Sequence, residues 1–220
     1  MTFFEEINKK LENEYIGRNY LGLSEIGNPC QLYLWLQDRG YGEEEAIPPP
    51  GRILQLFDDG NRVEEDVIRK LRYVGVDVFD EQGEAEIIYK SKSLLGHIDG
   101  MLTIDGFHHI LEIKSSNLKG FRRIVKLKSY KDWNIKYYAQ TQAYMLALDM
   151  PKAYIIVYCK DNSDWYEEVV ELDEDCVLEF LETVFDTLRC KQAPAVECSS
   201  KDFYVAKMCK FRHVCFKKEN

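Results

Sequence analysis

Residues 96–114 read Gly-His-Ile-Asp-Gly-Met-Leu-Thr-Ile-Asp-Gly-Phe-His-His-Ile-Leu-Glu-Ile-Lys, and they constrain the chain more than any other stretch. Asp105-Gly106 sits between two runs rich in Ile, Leu, Met, Phe and Thr. That is the strongest short-range signal for a β-hairpin closed by a two-residue primed turn. A turn there sets the register: Ile104 faces Phe107, Asp99 faces Glu112, and His97 faces Lys114. Side chains alternate along a strand with period two, so Glu112 and Lys114 share a face with Asp99 and His97. Two carboxylates and an ammonium therefore converge. Like charges opposed on a hairpin are destabilising, so the arrangement calls for neutralisation by the lysine or by a cation. An oxygen donor set of this kind suits a hard divalent metal.

At 220 residues, 45% apolar and 30% charged, the chain can bury a substantial core, and it reads as one domain over 1–220. Within it, 1–51 is a helical appendage, 52–190 the core and 191–220 a cysteine-containing tail. No apolar run approaches the ~18 residues of a membrane span. The opening Met-Thr-Phe-Phe-Glu-Glu is acidic where a secretory signal would be basic, so no membrane partner and an intracellular location are expected. Seven cysteines, an odd number at irregular spacing, favour metal binding or plain burial over a disulfide framework. The net charge of −9 argues against indiscriminate coating of nucleic acid, but charge is unevenly placed. From Lys114 to Lys136 eight basic residues stand against one acid, Asp132, which makes a patch suited to phosphates. Lys119, Arg122, Arg123 and Lys126 are its centre; a solvated helix surface is the alternative.

Apolar spacing predicts a helix over 2–14 and a second from Ser24 or Pro29 to Asp38. The stretch 40–51, with Glu43-Glu44-Glu45 and Pro48-Pro49-Pro50-Gly51, reads as a loop. A helix over 52–73, interrupted or kinked near Gly60, carries Glu64 on the same stripe as Ile68 and Leu71. An acid on a core-facing stripe needs a partner, unless it lies at the margin of the stripe. Strands follow at 74–80 and 84–89, then the hairpin. Beyond the basic segment come a helix over 133–149, strands at 153–159 and 165–172, and a helix over 173–190 with Val177, Leu178, Leu181, Phe185 and Leu188 inside. This order implies an α/β sandwich around a mixed sheet, with the strand at 153–159 parallel to a hairpin strand because a helix connects them.

Asp99, then Glu112-Ile113-Lys114 on the next strand, with helical Glu64 upstream and Gln140-x-x-x-Tyr144 downstream, resembles the PD-(D/E)XK nuclease superfamily. Within it the chain is most similar to the RecB-like exonucleases, including CRISPR-associated and phage-encoded members. Ser24-Glu25-Ile26-Gly27-Asn28-Pro29-Cys30, Gly60-x-x-x-Glu64 and Cys209-Lys-Phe-Arg-His-Val-Cys215 add to the resemblance, which spans nearly the whole chain. It implies a restriction-endonuclease-like mixed central β-sheet flanked by helices. It also implies that Asp99, Glu112 and the carbonyl of Ile113 bind Mg²⁺ or Mn²⁺, with Glu64 completing the site where many relatives have His. Lys114 would orient the attacking water or stabilise the transition state. A surface salt-bridge cluster is the competing account of these residues.

Gln140 and Tyr144, one helical turn apart on a face with Tyr137 and Leu148, would by spacing alone be a packed core face with one satisfied amide. The resemblance makes them a pair that positions the DNA strand. His97 is either an ordinary strand histidine or a residue supporting Lys114. His108, His109 and His213 receive no catalytic role. Relatives with an iron-sulfur cluster use one cysteine before the core and three after it. The resemblance therefore offers Cys30, Cys198, Cys209 and Cys215 for a [4Fe-4S] cluster or a structural Zn²⁺. Ala206 stands where relatives often have the first cysteine of a C-x-x-C pair, so Cys198 would supply that ligand; buried or free thiols are the alternative. The function implied is a metal-dependent deoxyribonuclease, an exonuclease of recombination, repair or phage DNA processing, with DNA and recombination, repair or CRISPR proteins as partners. Its rivals are a non-catalytic DNA- or partner-binding relative that scaffolds or inhibits such a complex, and a site-specific endonuclease.

Overall fold

Helix α1 (Phe3–Glu14) opens on a capping box, in which the Thr2 hydroxyl accepts from the Glu5 N–H and the Glu5 carboxylate accepts from the Thr2 N–H at 2.7 Å. It is the first element of a computed structural model that describes residues 2–18, 20–40 and 48–216. A 3₁₀ turn at Leu23–Glu25 leads to α2 (Gln31–Asp38), whose N-cap is Cys30, and then comes the long helix α3 (Gly51–Tyr73). Strands β1 (Val78–Phe79), β2 (Glu84–Tyr89), β3 (Lys92–His97), β4 (Gly100–Ile104) and β5 (Phe107–Ser116) follow. Helices α4 (Leu118–Leu127), α5 (Tyr130–Trp133) and α6 (Ile135–Ala147) precede β6 (Lys152–Cys159) and β7 (Trp165–Glu171). The chain ends with α7 (Glu174–Arg189) and two short helices, α8 (Tyr204–Met208) and α9 (Arg212–Cys215). The acidic run Glu43-Glu44-Glu45, expected within a loop, lies outside the described residues. Among the described residues no helix is long and apolar enough to cross a membrane.

The chain forms two compact units. One takes residues 22–28 and 60–183, the other the described residues of 1–21, 29–59 and 184–220. In the first, a five-stranded sheet has the order β1-β4-β5-β6-β7, antiparallel throughout except for the parallel pair β5–β6. The Asp105-Gly106 turn forms as the sequence requires, with both residues left-handed at φ 51° and 81°. Ile104 pairs with Phe107 and Gly100 with Leu111, which is the register the turn predicts. One face of the sheet packs Leu102, Leu111, Ile113 and Ile156 against Val67 and Ile68 of α3, with Val63 and Leu71 at the edge. At about 1.5–3 kcal/mol for each such side chain removed from water, this cluster is a main source of stability. The helices of the crossover, α4 and α6, lie against β5 and β6. Strands buried on both faces explain why Ile110 to Ile113 and Ile155 to Val157 read as unbroken apolar runs but for Glu112.

The register does not extend past Gly100. Residues 92–97 form β3, which pairs with β2 in a separate two-stranded sheet through a turn at Lys90 and Ser91, both left-handed without being glycine. His97 lies opposite Glu84, not Lys114, and is exposed. Only Val78 and Phe79 of the expected strand 74–80 pair. Helix α3 runs without interruption through Gly60, and the expected helix at 133–149 breaks at Asn134, which ends α5 and caps α6. In α7 the inner stripe takes Val184, while Leu178 is exposed.

In the other unit Leu32, Trp35 and Leu36 of α2 pack on Phe211, with Cys30, Cys209, Val214 and Cys215 around them. The Trp35 indole donates to the Cys190 carbonyl at 2.8 Å, and the Arg39 guanidinium lies 4.0 Å above its ring. Helix α1 meets α3 through polar groups: the Gly51 N–H donates to Glu12 at 2.6 Å and Gln55 to Asn8 at 2.7 Å.

Candidate active site

The site is built where β4 ends and β5 continues. Beyond Gly100↔Leu111 the edge of β5 has no β4 partner, and Asp99 takes its place: its carboxylate accepts from the Ile113 N–H at 2.7 Å. In an extended strand a residue's N–H and C=O point to the same edge, so the Ile113 carbonyl also faces the Asp99 side. Asp99 is held there because Ile98, fully buried, donates its N–H to the Gly83 carbonyl at 3.0 Å. Asp99 and Glu112 do not form the cross-strand pair of the extrapolated register, yet they come together through this cap.

Glu112 points to the face opposite Ile113 and is wholly buried. The Lys114 ammonium, two residues on, touches its carboxylate, and beyond that ammonium neither oxygen of Glu112 meets a hydrogen-bond donor among the described residues. Burial raises the Glu112 carboxyl to about 7 against the pull of Lys114, with Asp99 and Glu64 adding to the rise. Asp99 is raised by burial as well. Lys114 stays charged, since Glu112 and Asp99 outweigh its own desolvation. Glu64, half-buried on α3, accepts from the Gln82 amide at 2.7 Å, and burial with Asp99 nearby lifts it to about 7. Three carboxyl groups thus share one ammonium, which offsets only part of the burial that raises them.

The opposite wall comes from α5 and α6. Gln140 donates to the Tyr144 hydroxyl at 3.0 Å, and Tyr144 lies within the field of Glu112 and Lys114, with burial raising it to about 12. Gly96 of β3 permits that approach: a Cβ there would stand 2.7 Å from the Tyr144 ring. Tyr130, which the sequence does not single out, is fully buried with its hydroxyl 3.5 Å from that of Thr141, and Glu112 and Lys114 act on it. Gln82 is likewise unforeseen, because it reaches Glu64 from a left-handed turn position that no periodicity marks. Lys119, Arg122, Arg123 and Lys126 are exposed on α4, whose Phe121 and Ile124 face inward.

The structure thus brings Glu64, Asp99, Glu112, Lys114, Gln140 and Tyr144 into one electrostatic cluster and leaves His97 out. Among the described residues no three His, Cys, Asp or Glu side chains stand together as a metal-holding group. The donor set is instead two carboxylates and a backbone carbonyl. Glu112, a buried carboxylate lacking a neutral donor among the described residues, fits a hard cation.

Solved structures to which the chain is similar include three, of two proteins. SSO0001 matches at TM-score 0.54 and 20% identity over 98% of this chain and 96% of its own. The alkaline exonuclease LHK-Exo from Laribacter hongkongensis matches at 0.57 and 18% over 84% and 90%, and its complex with dAMP at 0.56 over the same shares. The chain has the restriction-endonuclease-like fold. No family model and no curated protein matches the sequence. In this fold the carboxylates of the present chain fall at the open end of β4 and on β5, flanked by α3 and α6.

In the other unit, Cys30, Cys198, Cys209 and Cys215 bring their sulfurs within one another's electrostatic reach. Burial, with Cys209, Cys30 and Cys198 adding, pushes Cys215 up to about 11. The Cys30 sulfur accepts from the Tyr33 N–H at 3.4 Å. Their side chains do not close into a ligand group.

Proposed function

We propose that this chain is a metal-dependent deoxyribonuclease, and that it acts as an exonuclease in recombination, repair or phage DNA processing. The observation that carries the reading is Glu112: a fully buried carboxylate, held by a lysine two residues away and joined by a second carboxylate that caps the intervening residue. A buried, charge-deficient cluster of this kind costs stability, and a nucleic-acid hydrolase has a use for it. The likeness to an alkaline exonuclease, and to its complex with a nucleotide, supports the same reading.

Asp99, Glu112 and the Ile113 carbonyl would hold Mg²⁺ or Mn²⁺, with Glu64 reaching it directly or through water. Such an ion, when bound, lowers the pKa of water and offsets charge on the phosphate. Asp99 uses one carboxylate oxygen to fix the Ile113 N–H, which would leave the other for the ion. Lys114, anchored on Glu112, presents an ammonium to the attacking water or the scissile phosphate. Gln140 orients the Tyr144 hydroxyl, and that pair positions the strand. Lys119, Arg122, Arg123 and Lys126 hold flanking phosphates.

The test is incubation of the purified chain with end-labelled linear and covalently closed DNA in Mg²⁺, Mn²⁺ or EDTA. Linear DNA should be degraded with either metal and survive in EDTA, and Glu112→Ala should lose cleavage. Undiminished degradation by Glu112→Ala would sink the assignment. Binding of DNA with no cleavage in either metal would support the scaffold reading instead.

For the four cysteines the mutual reach of their thiols favours a shared metal centre, a [4Fe-4S] cluster or alternatively Zn²⁺. Anaerobically purified protein should contain iron or zinc by elemental analysis, and Cys30→Ser should deplete it as much as Cys215→Ser. Protein with neither element would leave only the carboxylate site.

A further inference from the structure

A row of aromatic rings leads from the basic helix to the carboxylates. Tyr130 and Trp133 stack at 6.1 Å and 29°, Trp133 and Tyr137 lie 5.8 Å apart at 45°, and the Lys114 ammonium stands 5.2 Å above the Tyr137 ring. Trp133 is joined to the first turn of α4, its indole donating to the Gly120 carbonyl at 3.0 Å, and Arg123 donates to the Asp132 carbonyl at 3.1 Å. On α4, Lys119, Arg122 and Lys126 fall within one stripe at 100° per residue, opposite Phe121 and Ile124; Arg123 borders that stripe, and Gly120 lies between Arg123 and Ile124. Among the described residues Lys119, Arg122 and Lys126 make no ion pair, unlike Lys136 with Glu25 at 2.9 Å and Lys131 with Asp173 at 3.4 Å. Three cations of the helix that anchors Trp133 are thus unspent.

We propose that Trp133 and Tyr137, beside the basic face of α4, form a stacking platform that feeds single-stranded DNA to the carboxylates. The destination of the strand rests on the nuclease reading; the platform does not. Phosphate binding alone has no use for aromatic rings, whereas every unpaired base offers a π-face to them. Bases within a duplex already have both faces covered, and exposing one costs a few kcal/mol. Trp133 has a structural duty through its indole N–H. Tyr137 has none of that kind: it is half-buried, and among the described residues its hydroxyl has no hydrogen-bond partner. A base stacked on it would set its own backbone beside Lys114. The platform therefore selects a single strand or a frayed end over an intact duplex.

The test measures binding of the full chain in EDTA, so that no cleavage intervenes, to a fluorescein-labelled mixed-sequence single strand and to its blunt duplex. The wild type should favour the single strand. Tyr137→Leu should weaken that binding roughly fivefold to a hundredfold, leave duplex affinity unchanged and keep the same salt slope, because stacking releases no counterions. Tyr137→Phe, which keeps the ring, should bind as the wild type does. A strand carrying 2-aminopurine should change its fluorescence on binding the wild type, a measurement that stands even if Tyr137→Leu fails to fold. Equal losses on single strand and duplex, full binding by folded Tyr137→Leu, or an unresponsive 2-aminopurine strand would each overturn the platform. A chain that binds single strands in this way yet cuts nothing in Mg²⁺ or Mn²⁺ would keep the platform and lose the nuclease; one that cuts while Tyr137→Leu binds fully would do the reverse.

Discussion

Lys114 has two duties that substitution can separate. Its ammonium neutralises a carboxylate that has no other donor among the described residues, and in the proposed function it would also meet the substrate. Lys114→Ala should lose cleavage by at least on the order of a hundredfold, as removal of an electrostatic stabiliser does. Breaking a buried pair from one side costs about 3–5 kcal/mol, so the variant should also melt earlier, unless Glu112 escapes part of that cost by protonating. Its Mg²⁺ affinity should persist by calorimetry, since the acids remain. Glu64→Ala should instead weaken Mg²⁺ binding roughly 10–100-fold, the range for a group that supports ligands from outside. Loss of all Mg²⁺ binding would make Glu64 a direct ligand, and no loss would remove it from the site. At this scale the sequence was informative where residue type conflicted with position: an acid on an apolar stripe at Glu64 and another inside an apolar run at Glu112. Tyr130 and Gln82 conflict with nothing in their own neighbourhoods, and only the folded chain brings them to the site.

Helix α4 presents its basic stripe because Phe121 and Ile124 must be buried, which turns Lys119, Arg122, Arg123 and Lys126 outward. Neutralising all four should reduce the slope of log affinity against log salt by up to about 3.6, at ~0.7–0.9 for each phosphate no longer neutralised. Affinity should fall equally for all DNA sequences, and an unchanged slope would place the phosphates elsewhere. The elements also show how far pattern reading extends. The Asp105-Gly106 turn set the register of β4 and β5 correctly from Gly100 to Leu111, because a primed turn and period two leave one solution. Carried three residues further it placed His97 opposite Lys114, where it does not lie. Lys90 and Ser91 make a left-handed turn without glycine, so the β2–β3 hairpin left no mark of the usual kind. Asp99 leaves the strand to cap Ile113, a long-range bond that no local propensity encodes. The convergence of Asp99 with Glu112 was thus foreseen by way of a pairing that does not form.

The cost of holding this site falls on the stability of the whole chain. Glu112 and Glu64 rise from an ordinary value of 4.5 to about 7 on folding, so the folded chain binds protons in that interval which the unfolded chain has released. An acid raised by folding is neutral in both states below about 4.5 and carries its full penalty above about 7, so stability falls as pH rises between the two. Carboxylates lowered by ion pairs, such as Asp66 beside Lys70 and Arg69, act in the opposite sense and partly conceal the trend. The informative quantity is therefore the melting temperature of Glu112→Gln minus that of the wild type, both in EDTA. That difference should grow from pH 4.5 to pH 7 and then level off, because the amide keeps the shape of the acid and cannot ionise. Mg²⁺ or Mn²⁺ should stabilise the wild type increasingly over the same interval, with protons released on binding below pH 7, and should do little for Glu112→Gln. A melting difference independent of pH would mean that Glu112 ionises in the folded chain as it does in water. The burial penalty that the proposed cation would relieve would then be absent.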